Sequence, residues 1–173
     1  MSREERTTPA VYVGTYAKYN NGSIAGAWVS LDEHDTEAAF YAAASALHKR
    51  EYDPELMFQD FEGFPREFYG ESYLDERIWE WLELDDDERD IISAWLKANG
   101  GSDDLDYMRE AYRGHWDSWD EYVYQYVDDT CLLENVPEEV AGYFDYESYG
   151  RDLSNDYSVT DSDSGGVYVF FNH

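Results

Sequence analysis

Lysine is nearly missing from this chain: 173 residues contain only Lys18, Lys49 and Lys97. All twelve basic side chains together face forty acidic ones, for a net charge of −28. Such a surface repels nucleic acid and anionic membrane, and attracts whatever is built to hold polyanions. Neither DNA nor a membrane is therefore expected as a partner. Cysteine occurs once, at Cys131, which excludes an intrachain disulfide and a Cys-based zinc site. No apolar run follows Met1 and none reaches transmembrane length, so the expected compartment is the cytoplasm. Asn21-Gly22-Ser23 matches a glycosylation sequon but here means a turn.

The usual marks of catalysis are also missing. His34, His48, His115 and His173 show no HExxH or paired metal spacing, and there is no glycine-rich phosphate loop and no nucleophile elbow. Asp161 to Gly166 (DSDSGG) begins like a calcium loop, but its twelfth position is Asn172, so an EF-hand fails. With forty carboxylates some close pairs arise by chance and do not argue for acid–base work. No enzyme, cofactor or metal site is expected.

What is present is acid mixed with apolar residues. Hydrophobic residues make up 43%, enough to bury a core. Residues 1–62 carry 11 acidic and 5 basic side chains, residues 63–103 carry 12 and 4, and residues 104–173 carry 17 and 3. A disordered acidic tail would concentrate its charge in one low-complexity run, whereas here aromatics are mixed throughout, as on a folded surface. A duplex carries one charge per about 1.7 Å of axis, so this net charge matches roughly 14 base pairs, and a dimer roughly twice that.

The pattern predicts an α+β fold, sheet and helix at both ends with helices between. Ala10 to Tyr16 and Ser23 to Leu31 are expected strands, joined by a turn at Asn20-Asn21-Gly22. Gly14 and Gly26 inside them mark bulges or close backbone approach, or simply a packing need. Asp35 or Thr36 caps an alanine-rich helix to about Lys49, and Met57 to Phe64 closes the module as a strand. Three helices follow: Tyr73 to Leu84, then one opened by Asp85-Asp86-Asp87-Glu88 and stopped at Asn99-Gly100-Gly101, then one capped at Ser102, Asp103 or Asp104. These are expected to pack as a small bundle. Ala111 to His115 is a strand, and Ser118 opens a helix to about Asp129. Asp156 to Thr160 and Val167 to Phe171 form a closing hairpin. Residues 1–9 are polar and expected to fray. The expected modules are 1–62, 63–103 and 104–173.

Between Leu132 and Leu153 acid and apolar residues interleave. Pro137 suits the first turn of a helix, and Val140, Phe144 and the Tyr143/Tyr146/Tyr149 series recur at three- and four-residue spacing. The stretch reads as one packed element with carboxylates outside, which is also how an ordinary solvated acidic helix reads.

Pro137 to Leu153 (PEEVAGYFDYESYGRDL) resembles the antirestriction motif of ArdA-type antirestriction proteins, which conjugative plasmids and transposons carry. Val11 to Gly26 and Asp53 to Pro65 resemble that family's N-terminal signature, in the family's order and separation. Together the similarity covers most of the chain. It implies an elongated, three-part fold and a DNA mimic that blocks type I restriction-modification enzymes. The motif residues it assigns are Pro137, Glu138, Glu139, Val140, Ala141, Tyr143, Phe144, Asp145 and Tyr146. Their apolar members are expected in a core or a dimer interface rather than against the enzyme, since aromatics dominate such surfaces. A homodimer joined through the C-terminal part would suit the bipartite DNA site of a methyltransferase–specificity complex.

Candidate phosphate stand-ins are Asp85, Asp86, Asp87, Glu88, Asp90, Asp103, Asp104, Asp106, Asp117, Asp120, Glu121, Asp128 and Asp129. Each offers a charge and acceptor oxygens that the lysines and arginines of a DNA groove take as phosphate. Taken singly, each is also an ordinary exposed acid. Two other readings use the same composition: an acidic protein adapted to high salt, and a calcium-binding protein.

Overall fold

The computed structural model describes residues 7–172; the first six residues of the expected frayed start lie outside them. The chain divides into two compact units, Met1–Arg89 and Asp90–His173. Strands and helices mix in both, so the α+β expectation holds.

Unit 1 is built on β1 (Ala10–Thr15), which lies between β2 (Ala27–Ser30) and β3 (Leu56–Glu62), antiparallel to both. Val11 and Val13 of β1 are fully buried, because a central strand has no edge to give to solvent. A register shift between Tyr12 and Val13 marks a bulge against β3. At Gly26 a Cβ would stand 2.2 Å from the Val13 carbonyl oxygen, so close backbone approach is the reason for that glycine. One turn of helix not expected from the sequence, α1 (Tyr16–Asn20), follows β1, capped by the Thr15 hydroxyl. Helix α2 (Glu37–Ala46) is capped by Thr36 and buries Phe40 and Ala44. The Phe40 ring meets Phe58 of β3 at 6.1 Å and Trp79 at 5.3 Å. Trp79 belongs to α3 (Arg77–Leu82), shorter than the expected Tyr73–Leu84 because Leu74 N–H donates to the Tyr41 hydroxyl and Asp75 N–H to the Phe68 carbonyl instead of entering a helix.

Among the described residues unit 1 also buries two polar ones, Thr15 and His48. The His48 Nε2 lies 3.2 Å from the Val13 carbonyl, which can only accept, so Nε2 carries the proton. Nδ1 then accepts from Lys18 Nζ at 2.5 Å, and Lys18 reaches Glu51 at 3.3 Å.

Helix α4 (Asp86–Asn99) contains the division between the units. The Asp85 carboxylate caps it, accepting from Glu88 N–H at 2.9 Å, and Gly100 and Gly101 end it at positive φ. Helix α5 (Leu105–Ala111), capped by Asp104, leads into β4 (Tyr112–Trp116). The sheet of unit 2 runs β4-β6-β5, with β6 (Val167–Phe171) central and β5 (Tyr157–Asp161) antiparallel to it. Period-two alternation sends Phe170 and Val169 to opposite faces, and both are fully buried. On one face Phe170 meets Trp95 of α4 at 5.4 Å and Tyr112 at 5.7 Å. The other face carries Tyr157, which meets Trp119 and Tyr122 of α6 (Trp119–Asp129) at 5.4 and 5.3 Å. Burying rings of this size stabilises by about 1.5–3 kcal/mol each.

The acidic stretch near the end is not one element. Helix α7 (Glu138–Ala141) makes a single turn after Pro137, the chain turns through Gly142, Tyr143 and Phe144, and α8 (Tyr146–Leu153) starts afresh. Asp145 is the reason: its carboxylate accepts from Ser148 N–H at 3.0 Å and from the Ser148 hydroxyl at 2.7 Å, which is an N-cap and cannot be helix interior.

Candidate acidic interface

Helix α6 carries an acidic face in unit 2. Ser118 caps it, its hydroxyl accepting from Glu121 N–H at 3.2 Å. Tyr122, Val123 and Val127 are buried, which leaves Asp120, Glu121, Tyr124, Gln125, Asp128 and Asp129 exposed on the opposite side. From Asp120 to Asp129 the helix rises about 13.5 Å, and four carboxylates lie along it.

The remaining candidate acids gather at helix starts. Asp85, Asp86 and Asp87 are exposed at the first turn of α4, with Glu88 and Asp90 half-buried. Asp103 is half-buried, while Asp104 and Asp106 stand exposed at the start of α5, and Asp117 lies exposed ahead of α6. Carboxylates stabilise helix N-termini, so part of this clustering is local structure. Asp85, Asp104 and Asp145 are caps, Asp106 pairs with Arg109 at 2.7 Å, and Asp129 accepts from Gln125 at 2.6 Å. All thirteen candidates nevertheless reach solvent, and no carboxylate is buried among the described residues.

Behind that face lies a seam of rings. Helix α8 approaches α6 at Gly150, whose carbonyl accepts from Trp119 Nε1 at 3.1 Å; a Cβ there would stand 3.1 Å from a Val123 methyl. Tyr124 meets Tyr146 at 4.5 Å, and Phe144 meets Tyr146 and Tyr149 at 4.8 and 5.4 Å. Burial pushes the Tyr122 phenol well above its ordinary value, reinforced by its hydrogen bond to the Tyr157 hydroxyl.

A family model for the antirestriction protein ArdA matches residues 11–168. The chain belongs to the ArdA family. No curated protein matches it. The stretch that resembles the family's antirestriction motif divides in two by exposure. Phe144 and Tyr146 are half-buried in the ring seam, where Tyr146 meets Tyr124 of α6, and Asp145 caps α8. Pro137, Glu138 and Glu139 are exposed, Ala141 is half-buried, and Val140 and Tyr143 are 57% and 88% exposed. Val140 and Tyr143 are thus not core residues of this chain. Sequence reasoning missed the α6 face as a unit, because Tyr124 and Gln125 interrupt the acid when it is read as a string; marking the exposed helical positions would have found it.

Among the described residues no group of His, Cys, Asp and Glu is arranged to hold a metal, and no helix is long and apolar enough to cross a membrane. Asp161 to Gly166 forms the β5–β6 hairpin, closed by Ser162 N–H to the Gly166 carbonyl at 2.9 Å.

Proposed function

We propose that this ArdA-family chain acts in the cytoplasm as a DNA mimic, occupying the DNA-binding groove of a type I methyltransferase–specificity complex and thereby inhibiting restriction. It works by binding, without chemistry. The α6 face carries the proposal. One strand of a duplex sets a phosphate every about 3.4 Å, or about four in 13.5 Å, and α6 sets four carboxylates in the same length. A groove of lysines and arginines that tracks one DNA strand therefore meets the same charge per length here. The acids at the starts of α4 and α5 extend the supply, each as a weak contact.

The working form in this reading is a homodimer joined through the C-terminal part. Leu132, Val140 and Tyr143 supply exposed apolar surface close together in sequence, which a second copy would cover.

The test is displacement of labelled cognate DNA from a purified type I methyltransferase at two salt concentrations. Displacement that weakens steeply with salt supports the mimic; none at micromolar protein, with the chain folded, overturns it. Neutralising α6 alone (Asp120→Asn, Glu121→Gln, Asp128→Asn, Asp129→Asn) is expected to weaken displacement about tenfold, the sum of four contacts of about 0.35 kcal/mol each.

A further inference from the structure

Unit 1 contains a groove of about 370 Å³ whose walls include Tyr16, Tyr69 and Tyr73, with Phe68 buried beneath them and Glu67 and Glu71 exposed at its rim. We infer that this groove is a socket for a guanidinium group, an arginine side chain offered by a partner protein.

Two of the walls, Tyr16 and Tyr69, are fixed before any ligand arrives. Tyr69 stacks on Phe61 at 4.6 Å and donates its hydroxyl to the Phe58 carbonyl at 2.6 Å. Tyr16 shares a hydrogen bond of 2.7 Å with the Ser72 hydroxyl, and Phe58 N–H holds the loop at the Glu71 carbonyl at 2.7 Å. Gly70 permits the fold of this loop, since a Cβ there would stand 2.2 Å from the Tyr73 carbonyl oxygen. Tyr73 stands 71% exposed at the groove. A preorganised site spends little ordering entropy on its ligand.

The chemistry has a precedent a few residues away. Arg77 donates from Nε and Nη2 to the two oxygens of Asp75 at 2.9 and 2.8 Å, while its Cζ lies 5.5 Å from the centre of the Phe68 ring. Carboxylate plus ring is thus how this loop already holds a guanidinium. Glu67 and Glu71 repeat the carboxylates and the tyrosines repeat the rings, and among the described residues no cation of this chain pairs with either glutamate. Burial pushes the Tyr69 phenol up first, and the charges of Glu71 and Asp60 push it further against the opposing charge of Arg66. A planar, weakly hydrated guanidinium suits ring walls better than a compact ammonium. This inference rests on the mimic reading only for which protein offers the arginine.

The probe is N-acetyl-arginine N-methylamide, titrated into the full chain by NMR, with its neutral citrulline counterpart as control. Saturable shifts on the Tyr16, Tyr69 and Tyr73 rings are expected with the arginine probe alone. Glu71→Gln and Tyr73→Ala, both changes at exposed side chains, should each weaken binding about tenfold, while Glu138→Gln/Glu139→Gln in unit 2 leaves it unchanged. Equal binding of citrulline, shifts spread over the whole acidic surface, or indifference to both groove variants would overturn the socket. The DNA-displacement assay separates the two readings. Probe binding without displacement sinks the mimic and leaves the socket, and displacement unaltered in a variant that has lost the probe sinks the enzyme's arginine as its occupant.

Discussion

The two units are alike in plan and unlike in how they treat charge. Each sets a three-stranded antiparallel sheet around one buried central strand, β1 or β6. Residues 1–89 hold 21 acidic and 8 basic side chains, and residues 90–173 hold 19 and 4. In unit 1 three of the six described cations are folded in, Arg77 on Asp75 and Phe68, Lys18 against Glu51 and His48, and Arg89 over the Trp81 ring at 4.7 Å with Asp32 at 3.8 Å, while Lys49, Arg50 and Arg66 are exposed. Unit 2 keeps Arg151 on the surface beside Glu147 at 3.4 Å, pairs Arg109 with Asp106 at 2.7 Å and sets the exposed Arg113 over the Phe171 ring at 5.4 Å, and rings join its core as they do that of unit 1. The acids of α6 hold nothing in that core together: Asp120 and Glu121 favour the helix start, and Asp128 and Asp129 stand exposed at its end.

The sharpest way to break this comparison is to ask which side chains unit 2 needs. Phe170→Ala removes a fully buried ring between Trp95 and Tyr112, and is expected to cost about 3–5 kcal/mol in urea unfolding. The fourfold neutralisation of α6 is expected to leave stability within about 1 kcal/mol of the parent, because surface changes away from special features are small. If the acid-free helix unfolded the unit as Phe170→Ala does, the carboxylates would be structural and the division between ring-built fold and surface acid would be lost.

One substitution made in both units sharpens the contrast at a finer scale. Gly26→Ala sets a Cβ 2.2 Å from the Val13 backbone oxygen, and neither β1 nor the entry to β2 can yield without moving the sheet. A loss of about 1–3 kcal/mol is expected by thermal or urea denaturation. Gly150→Ala meets only a Val123 methyl at 3.1 Å and Trp119 Nε1 at 3.4 Å, side-chain atoms that can shift. It also replaces the poorest ordinary helix former by the best, a gain of about 1 kcal/mol that offsets the crowding. The net change at Gly150 is expected within about 0.5 kcal/mol of zero. A large loss there would mean that α8 sits on α6 with no slack.

Much of this was legible from the residues because local and tertiary signals agreed. Alternation gave β1 and β6, Thr36 and Ser118 announced α2 and α6, and Asn99-Gly100-Gly101 stopped α4. The single turn of α1 was hidden because Tyr16 to Asn20 continues the strand's run of aromatics. The break at Gly142–Asp145 was hidden for a stronger reason. Val140, Phe144 and the tyrosines keep helical spacing across it, and only the hydrogen bonds of Asp145 to Ser148 show that the spacing belongs to two helices rather than one. The buried side of α6 was legible at Tyr122 and Val123, and Val127 completes it in the structure.

The smallest predicted effect separates two ways of holding one carboxylate. Hydrogen bonds from the Arg77 side chain hold Asp75 below its ordinary pKa of 3.8, with a further bond from Arg77 N–H. Asp145 is also held below 3.8, chiefly by the backbone N–H and then the hydroxyl of Ser148. Both folded values are depressed, so each contribution to stability is complete above the unfolded value and is lost as pH falls through the folded one. The window therefore lies below about pH 4, and stability from pH 5 upward owes no slope to either group. Arg77→Gln should return Asp75 toward 3.8 in a carboxyl-detected NMR titration and leave Asp145 where it is. Ser148→Ala removes the hydroxyl but keeps the N–H, and should raise Asp145 only part of the way. If Asp145 returned fully to 3.8 in Ser148→Ala, the hydroxyl rather than the helix N-terminus would be holding it, and α8 would lack the cap that divides the acidic stretch in two.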